Sequence, residues 1–376
     1  TSAPRSLPAT PAPRSSPIDS AAMPPVTALI LFPELAPTAG PLSRALDAGL
    51  VALAARHRDA FLAAGADEVI VRREPADDTP FGARLRRLAP ELGRGGVIVL
   101  GAGAIPLAGA ADYRAFVVAA AADSPGALAN HRYSADVVAV ARARAILDRL
   151  PDLPSDNGLP RWLAEREGIP VSDHARRRPL AVDVDTPLDL VLLAGLAGLP
   201  DPPGTLTALG ADVGARRATL GGVARDPGSE LLVAGRTSAS DLRWLERHAA
   251  CRVRAFVEER GLRAASTATL AGRPNRRPAR SLLGTLLDRD GPGSLGSHLV
   301  DLCDGALLDT RVLLAHRLGA DERAWPAAED RYASDLLLAD RVGDPWLAEL
   351  TRSAAEAPVP VLLGGHTLVG PGGRNA

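Results

Sequence analysis

The sequence predicts an α/β fold, a mostly parallel sheet flanked by helices, followed by a second, smaller α/β domain. Three observations carry this reading. Short aliphatic runs alternate with segments of helical periodicity from Val26 onward, and such alternation builds parallel sheets with helices on both faces. The strand-like runs are almost wholly aliphatic, as strands buried on both faces are. The alternation breaks once, over residues 200–229, which are rich in Gly and Pro. At 376 residues the chain is long enough for two cores.

The elements follow in order. Val26–Phe32 reads as a buried strand, and Leu42–Ala64 as a helix ended by Gly65, a suitable C-cap. Glu68–Val71 is a second strand, Phe81–Leu92 a helix, and Gly96–Leu100 a central strand. Asp112–Ala122 is helical, Val137–Val140 is a strand running into a helix, and Arg161–Glu167 is helical. Ala181–Val184 reads as a strand and Thr186–Leu199 as the helix after it. Residues 200–229 then serve as a linker to a domain spanning 230–376. There Leu231–Ala234 and Arg252–Val257 are strands around a helix at Ser238–Ala249. Further helices are expected near Arg280–Leu287, Ala327–Asp340 and Pro345–Ala357, with a last strand at Val359–Leu363. Asp309, Arg311 and His316 fall on a possible strand, with Asp309 and Arg311 on one face. Residues 1–25, rich in Pro, Ser and Ala, cannot bury enough surface to fold. Met23 stands where order should begin, so the natural start is expected there.

Composition narrows the function classes. A net charge of −1 argues against nucleic acid or an anionic membrane as partner. The longest apolar stretch, Leu190–Leu199, falls well short of the roughly 20 residues that cross a bilayer, and cytoplasm is the expected compartment. Cys251 and Cys303 are far apart and make no metal or redox motif. All 43 basic residues are Arg. Any cationic chemistry therefore falls to guanidinium groups, which stay charged and bind anions through a planar fork.

The most informative segment is Ala181–Asp189. A buried strand there would deliver Asp183 and Asp185 to its C-terminal end on one side, at i and i+2. Thr186 stands at an N-cap position, Pro187 at the first helical position and Asp189 in the first turn. Carboxylates at that edge of a parallel sheet suit a divalent cation that bridges phosphates.

The Asp183-Val184-Asp185-Thr186-Pro187-Leu188-Asp189-Leu190 string resembles the closing motif of MobA-like nucleotidyltransferases, which have a GT-A-like fold. Other pieces resemble the family in the same order. Gly65–Val71 is similar to its passage into the second strand, and Phe81–Leu85 to the start of the helix before the central strand. Val97–Leu107 is similar to the central strand and its metal-binding loop. The resemblance spans residues 26–199, about half the chain. It implies transfer of an NMP from an NTP to a phosphorylated small molecule, with Mg²⁺ held by Asp183 and Asp185 and with Arg84 on the substrate side. Two departures stand against it. The family's Gly-rich loop with Arg and Lys is replaced by Phe32–Pro41, where three prolines remove amide donors and Glu34 adds the wrong charge. The family's central metal-binding Asp is Ala104 here.

Further candidate substrate-binding residues lie between and beyond these motifs. Asn130, Arg132, Ser134 and Asp136 fall in one polar segment before a strand, and Asp156 and Asn157 in another. Ordinary turn chemistry explains the same residue types. The run Arg176–Arg178 reads as a solvated surface patch. In the second half, Arg236, Thr237 and Ser238 follow a strand and a glycine turn at a helix start, whose amides suit an anion. Gly364-Gly365-His366 follows the last strand, where α/β sheets keep their ligands. Three readings stand: a nucleotidyltransferase, a catalytically degenerate protein binding a nucleotide or phosphorylated metabolite on the same scaffold, and an enzyme of another class using the crevice between the halves.

Overall fold

The computed structural model describes residues 24–372 apart from 76, 197–198, 200–203 and 260–277. The Pro/Ser/Ala-rich start through Met23 lies outside the described residues. The chain is α/β, with two sheets covered by helices.

The first sheet has the order β2-β1-β3-β5-β4-β6. Its strands are β1 (Val26–Pro33), β2 (Glu68–Glu74), β3 (Gly96–Gly101), β4 (Ala127–Ala129), β5 (Val137–Val140) and β6 (Val171–Asp173). Only β5 runs antiparallel to its neighbours β3 and β4. Its helices are α1 (Pro41–Ala64), α2 (Phe81–Leu88), α3 (Ala110–Ala120), α4 (Ala143–Leu147), α5 (Leu159–Glu165) and α6 (Pro187–Leu193). Gly65 ends α1 in the left-handed region at φ 102°, the C-cap its sequence position suggests.

After α6 come α7 (Gly204–Leu209) and α8 (Ala211–Arg225). The expected linker is therefore largely helical, and Leu206, Val213 and Leu220 are buried. These three apolar side chains attach the connection to the core despite its Gly and Pro content. The second sheet, β8-β7-β9-β10, is parallel throughout. It comprises β7 (Glu230–Gly235), β8 (Arg252–Val257), β9 (Gly305–Asp309) and β10 (Val361–Gly364). Around it lie α9 (Ala239–His248), α10 (Leu282–Asp290), α11 (Leu295–Val300), α12 (Thr310–Leu318), α13 (Ala328–Asp335), α14 (Pro345–Glu356) and α15 (His366–Val369).

Two expected strands are different. Ala181–Val184 is a 3₁₀ turn (Arg178–Ala181) followed by one antiparallel bridge, Asp183 to Ala104. The segment runs beside the loop beyond β3, where no ladder continues, so a single pairing is all it makes. The stretch from Asp309 to His316 is the end of β9 and then helix α12, because the Asp309 side chain caps that helix by accepting from the Arg311 N–H.

One apolar cluster joins the two halves. It includes Leu42, Leu46 and Leu53 of α1, Val182 and Val184, Leu188 and Leu192 of α6, and Leu231–Ala234, Leu307 and Val361–Leu363 of the second sheet. Helix α1 is apolar on its other side too, where Ala54 and Phe61 pack on the first sheet. A polar contact runs along the same seam. Helix α1 has no acidic residue in its first turn and no side-chain cap of its own. Glu329 of α13 fills that role, accepting from Leu42 N at 2.8 Å, Ser43 N at 3.0 Å and Ser43 Oγ at 2.8 Å. A Cβ on Gly40 would stand 2.3 Å from the Glu329 carboxyl carbon, so glycine is required for this approach. Among the described residues no helix is long and apolar enough to cross a membrane.

A carboxylate capping a long helix contributes about 1–2 kcal/mol. Glu329→Ala is expected to lower the unfolding free energy by about that much in urea denaturation. A loss under about 0.3 kcal/mol would show that the contact is energetically idle.

Candidate functional site

In the order β8-β7-β9-β10 the chain leaves β7 to one side for β8 and returns to the other for β9. Such a reversal opens a crevice at the carboxyl ends of the two strands, where open α/β sheets bind ligands. A cavity of about 310 Å³ lies at this point. The second half contributes Arg236 after β7, Arg311 after β9, Gly365, His366 and Thr367 after β10, and Glu322, Arg331 and Tyr332 from the region of α13. The first half closes the opposite wall with Asp185, Thr186 and Asp189.

The first-half wall is built by helix capping. Thr186 is the N-cap of α6, Pro187 opens the helix, and the Asp189 side chain reaches back in a capping box. Asp189 Oδ2 accepts from Asp185 N at 3.0 Å, Thr186 N at 2.8 Å and Thr186 Oγ1 at 2.9 Å. Its other oxygen, Oδ1, is buried without a hydrogen-bond partner, and the residue is only 2% exposed. Burial, reinforced by the Asp183 and Asp185 carboxylates, pushes this carboxyl well above the usual range.

The second-half wall is built on two ion pairs. Gly235, at φ +134°, turns the chain out of β7, and a Cβ there would stand 2.2 Å from the Asp309 Cβ. That turn brings Arg236 onto Asp309, with Nε 2.5 Å from Oδ2 and Nη2 3.2 Å from Oδ1. Burial opposes ionisation of Asp309, but the Arg236 and Arg311 guanidiniums overcome it and hold the carboxyl below its usual range. Arg311 makes a two-pronged pair with Asp335, one arm at 2.6 Å. Arg331 reaches Glu322 at 3.3 Å, while its Nε has no partner. His366 Nδ1 lies 2.9 Å from the Arg236 carbonyl. A carbonyl only accepts, so Nδ1 carries the hydrogen and a neutral ring keeps its lone pair on Nε2. Burial and the Arg236 charge lower the His366 pKa, which favours that neutral ring.

The sequence-derived candidates divide into three groups. Asp185 and Arg236 line the cavity. Asp183 stands beside it, its Oδ1 2.6 Å from Thr367 Oγ1 of the second half. Asp136 feels the charges of Asp183, Asp156 and Asp185, and Asp156 feels that of Asp185. Asp136 precedes the antiparallel β5, so it sits at the edge where the parallel strands end. Desolvation first, then the Asp183 and Asp156 charges, raise Asp136 well above the usual range, and desolvation pushes Asp156 up to about 6.

Asn130, Ser134, Arg84 and Ser238 serve local structure. Asn130 closes its own loop, donating to Asp136 and to the Leu180 carbonyl and accepting from Asp136 N and Val137 N. Ser134 N donates to His131 Nδ1. The Arg132 Nε and Asn157 Oδ1 atoms are buried without partners. Arg84 holds the loop after β2 through Glu74, Pro75 and Asp77. Ser238 caps α9 by accepting from Asp241 N, and its hydroxyl donates to the Asp241 carboxylate, which stands at the helix start where an anion was expected. The Thr237 hydroxyl beside it is buried and unpaired. The arginine run is not merely solvated: Arg177 pairs with Asp112 at 2.6 Å, and Arg178 donates to the Ser240 carbonyl across the halves.

Mg²⁺ fits this arrangement poorly. Thr367 engages Asp183 Oδ1, three donors engage Asp189 Oδ2, and among the described residues no three His, Cys, Asp or Glu side chains are grouped to hold a metal ion. Arg331, Tyr332 and Thr367 carried no sequence signal, whereas His366 was marked by its place after the last strand. A scan against protein-family models found no match to this chain, and neither did a search of curated proteins.

A carboxyl raised in the fold binds its proton more tightly there than when unfolded, so its contribution is favourable at low pH. It is lost as pH rises from about 4 to about 6 for Asp156. Asp156→Asn is therefore expected to raise the Tm at pH 7.5 and leave it nearly unchanged at pH 4. Equal Tm changes at both pH values would contradict this.

Proposed function

We propose that the chain is a metabolite-binding protein on a nucleotidyltransferase-like scaffold, and that it holds a small phosphorylated molecule in the crevice between its halves. The observation that carries this reading is the position of the cavity. It coincides with the reversal point of the second sheet, and its other wall is the Asp185–Asp189 turn. Three arginines stand in its lining, and guanidinium groups suit phosphate oxygens. Its volume of about 310 Å³ is at the small end of ligand sites, about 300–1,000 Å³, which favours a small metabolite over a complete NTP.

The start of α1 supports the same choice. The resemblance implies a triphosphate there, yet Glu329 occupies those amides. The shared apolar core holds α13 and α1 together, so the chain's own carboxylate is a built part of the fold. A second reading, NMP transfer with Mg²⁺, draws on the surplus carboxylates around Asp136. In it, Asp183 would keep Thr367 on Oδ1 and offer its other oxygen.

Thermal-shift measurements with phosphomonoesters and nucleotides, with and without Mg²⁺, separate the two. Phosphomonoesters are expected to raise the Tm without Mg²⁺, with affinity falling at least about tenfold in Arg331→Ala and little changed in Asp183→Ala. Mg²⁺-dependent stabilisation by NTPs that vanishes in Asp183→Ala would favour NMP transfer instead. Silence towards every phosphate compound would sink both.

A further inference from the structure

The crevice presents carboxyl groups on its first-half face and, beside Glu322, guanidinium groups on its second-half face. On the first-half side stand Asp185 and Asp189, two carboxyl groups four residues apart on one capping turn. On the second-half side stand Arg236, Arg311 and Arg331. The two sides are not equally satisfied. Arg236, Arg311 and Arg331 each have a carboxylate partner within the second half, Asp309, Asp335 and Glu322. Asp189 has spent only one oxygen. Its Oδ2 takes the three donors of the capping turn, while Oδ1 remains buried and unpaired in a residue that is 2% exposed and lines the cavity.

An unpaired buried polar atom costs about 1–3 kcal/mol, and natural structures seldom leave one without a partner or a role. The capping function does not explain it, because Oδ2 alone completes the box. A donor from a bound molecule would satisfy Oδ1, and a positively charged donor would also favour the ionised form of this raised carboxyl. An anion alone would meet Arg331 but bring like charge towards Asp185 and Asp189.

Resting on the phosphate reading of the crevice, we infer that its ligand is dipolar. An ammonium group sits against Asp189 and Asp185, and a phosphate sits towards Arg331. A carboxyl wall facing a guanidinium wall selects for such a molecule and against a simple anion of the same size, since an anion beside ionising carboxyl groups is strongly unfavourable in a partly desolvated site. The ligand class is therefore an amino-phosphate, a small phosphomonoester carrying a primary amine.

The test uses two near-isosteric probes, O-phosphoethanolamine and ethyl phosphate, which differ by the ammonium group. Calorimetric titration of the full chain is expected to show O-phosphoethanolamine at least about tenfold tighter, the scale of one charge-assisted hydrogen bond. Asp189→Asn keeps an oxygen for the capping turn and places an amide NH₂ at the Oδ1 position, so the preference should fall towards unity. Should that variant fail to fold, Asp185→Asn, which leaves the capping carboxylate in place, should weaken the preference at least about threefold. Equal, Arg331-dependent affinity for both probes would overturn the ammonium site and leave the phosphate reading standing. A preference that survives unchanged in the substituted protein would also overturn it. Binding of neither probe would overturn both.

Discussion

Helix α1 is packed on two sides at once, and the rest of the arrangement depends on that. Its Ala54 and Phe61 side rests on the first sheet, while Leu42, Leu46 and Leu53 join the core of the second half. Each fully buried leucine contributes about 1.5–3 kcal/mol, so the halves are held by a hydrophobic interface rather than a tether. The consequence is positional. With α1 and α6 fixed against the second sheet, the Asp185–Asp189 turn must face the carboxyl ends of β7 and β9. A crevice forms between a capping turn and a sheet edge that neither half would make alone.

The same seam places second-half groups on the first half's polar positions. Glu329 takes the amides that open α1, and Thr367 takes Asp183. Each contact satisfies a group that would otherwise need solvent or a ligand. The edge of the first sheet is thus partly occupied by the second half, and the crevice beside it has a polar wall of arginine–carboxylate pairs. Asp309 and Asp335 fix Arg236 and Arg311 in place. Such pairs contribute geometry and specificity more than net stability. Arg331 and His366 Nε2 are the groups on that wall best placed to answer a ligand.

Much of the fold was legible because it is written in local pattern. The aliphatic runs at β1, β3, β5, β7 and β10 and the periodicity of α1 marked these elements directly. Thr186, Pro187 and Asp189 stood out because capping chemistry acts over three residues. What escaped the sequence is non-local. Ala181–Val184 has a strand's composition, yet it meets only a loop at Ala104. The linker's three buried leucine and valine side chains are too sparse to announce helices packed on a core. Asp309 and Arg311 were expected on one strand face, but Asp309 ends the strand and caps the next helix. Glu329 lies 286 residues or more from the amides it accepts from, and no local signal could pair them. In the site, Asp185 and Arg236 were readable from their places after strand-like runs, whereas Arg331, Tyr332 and Thr367 gain their meaning only from the way the halves meet.

The shared core around α1 makes the two halves one cooperative body. Differential scanning calorimetry of the full chain tests it most directly. A single transition whose calorimetric and van't Hoff enthalpies agree is the expected result, although independent domains of this size would unfold separately. Two resolved transitions, one for each sheet, would contradict the account.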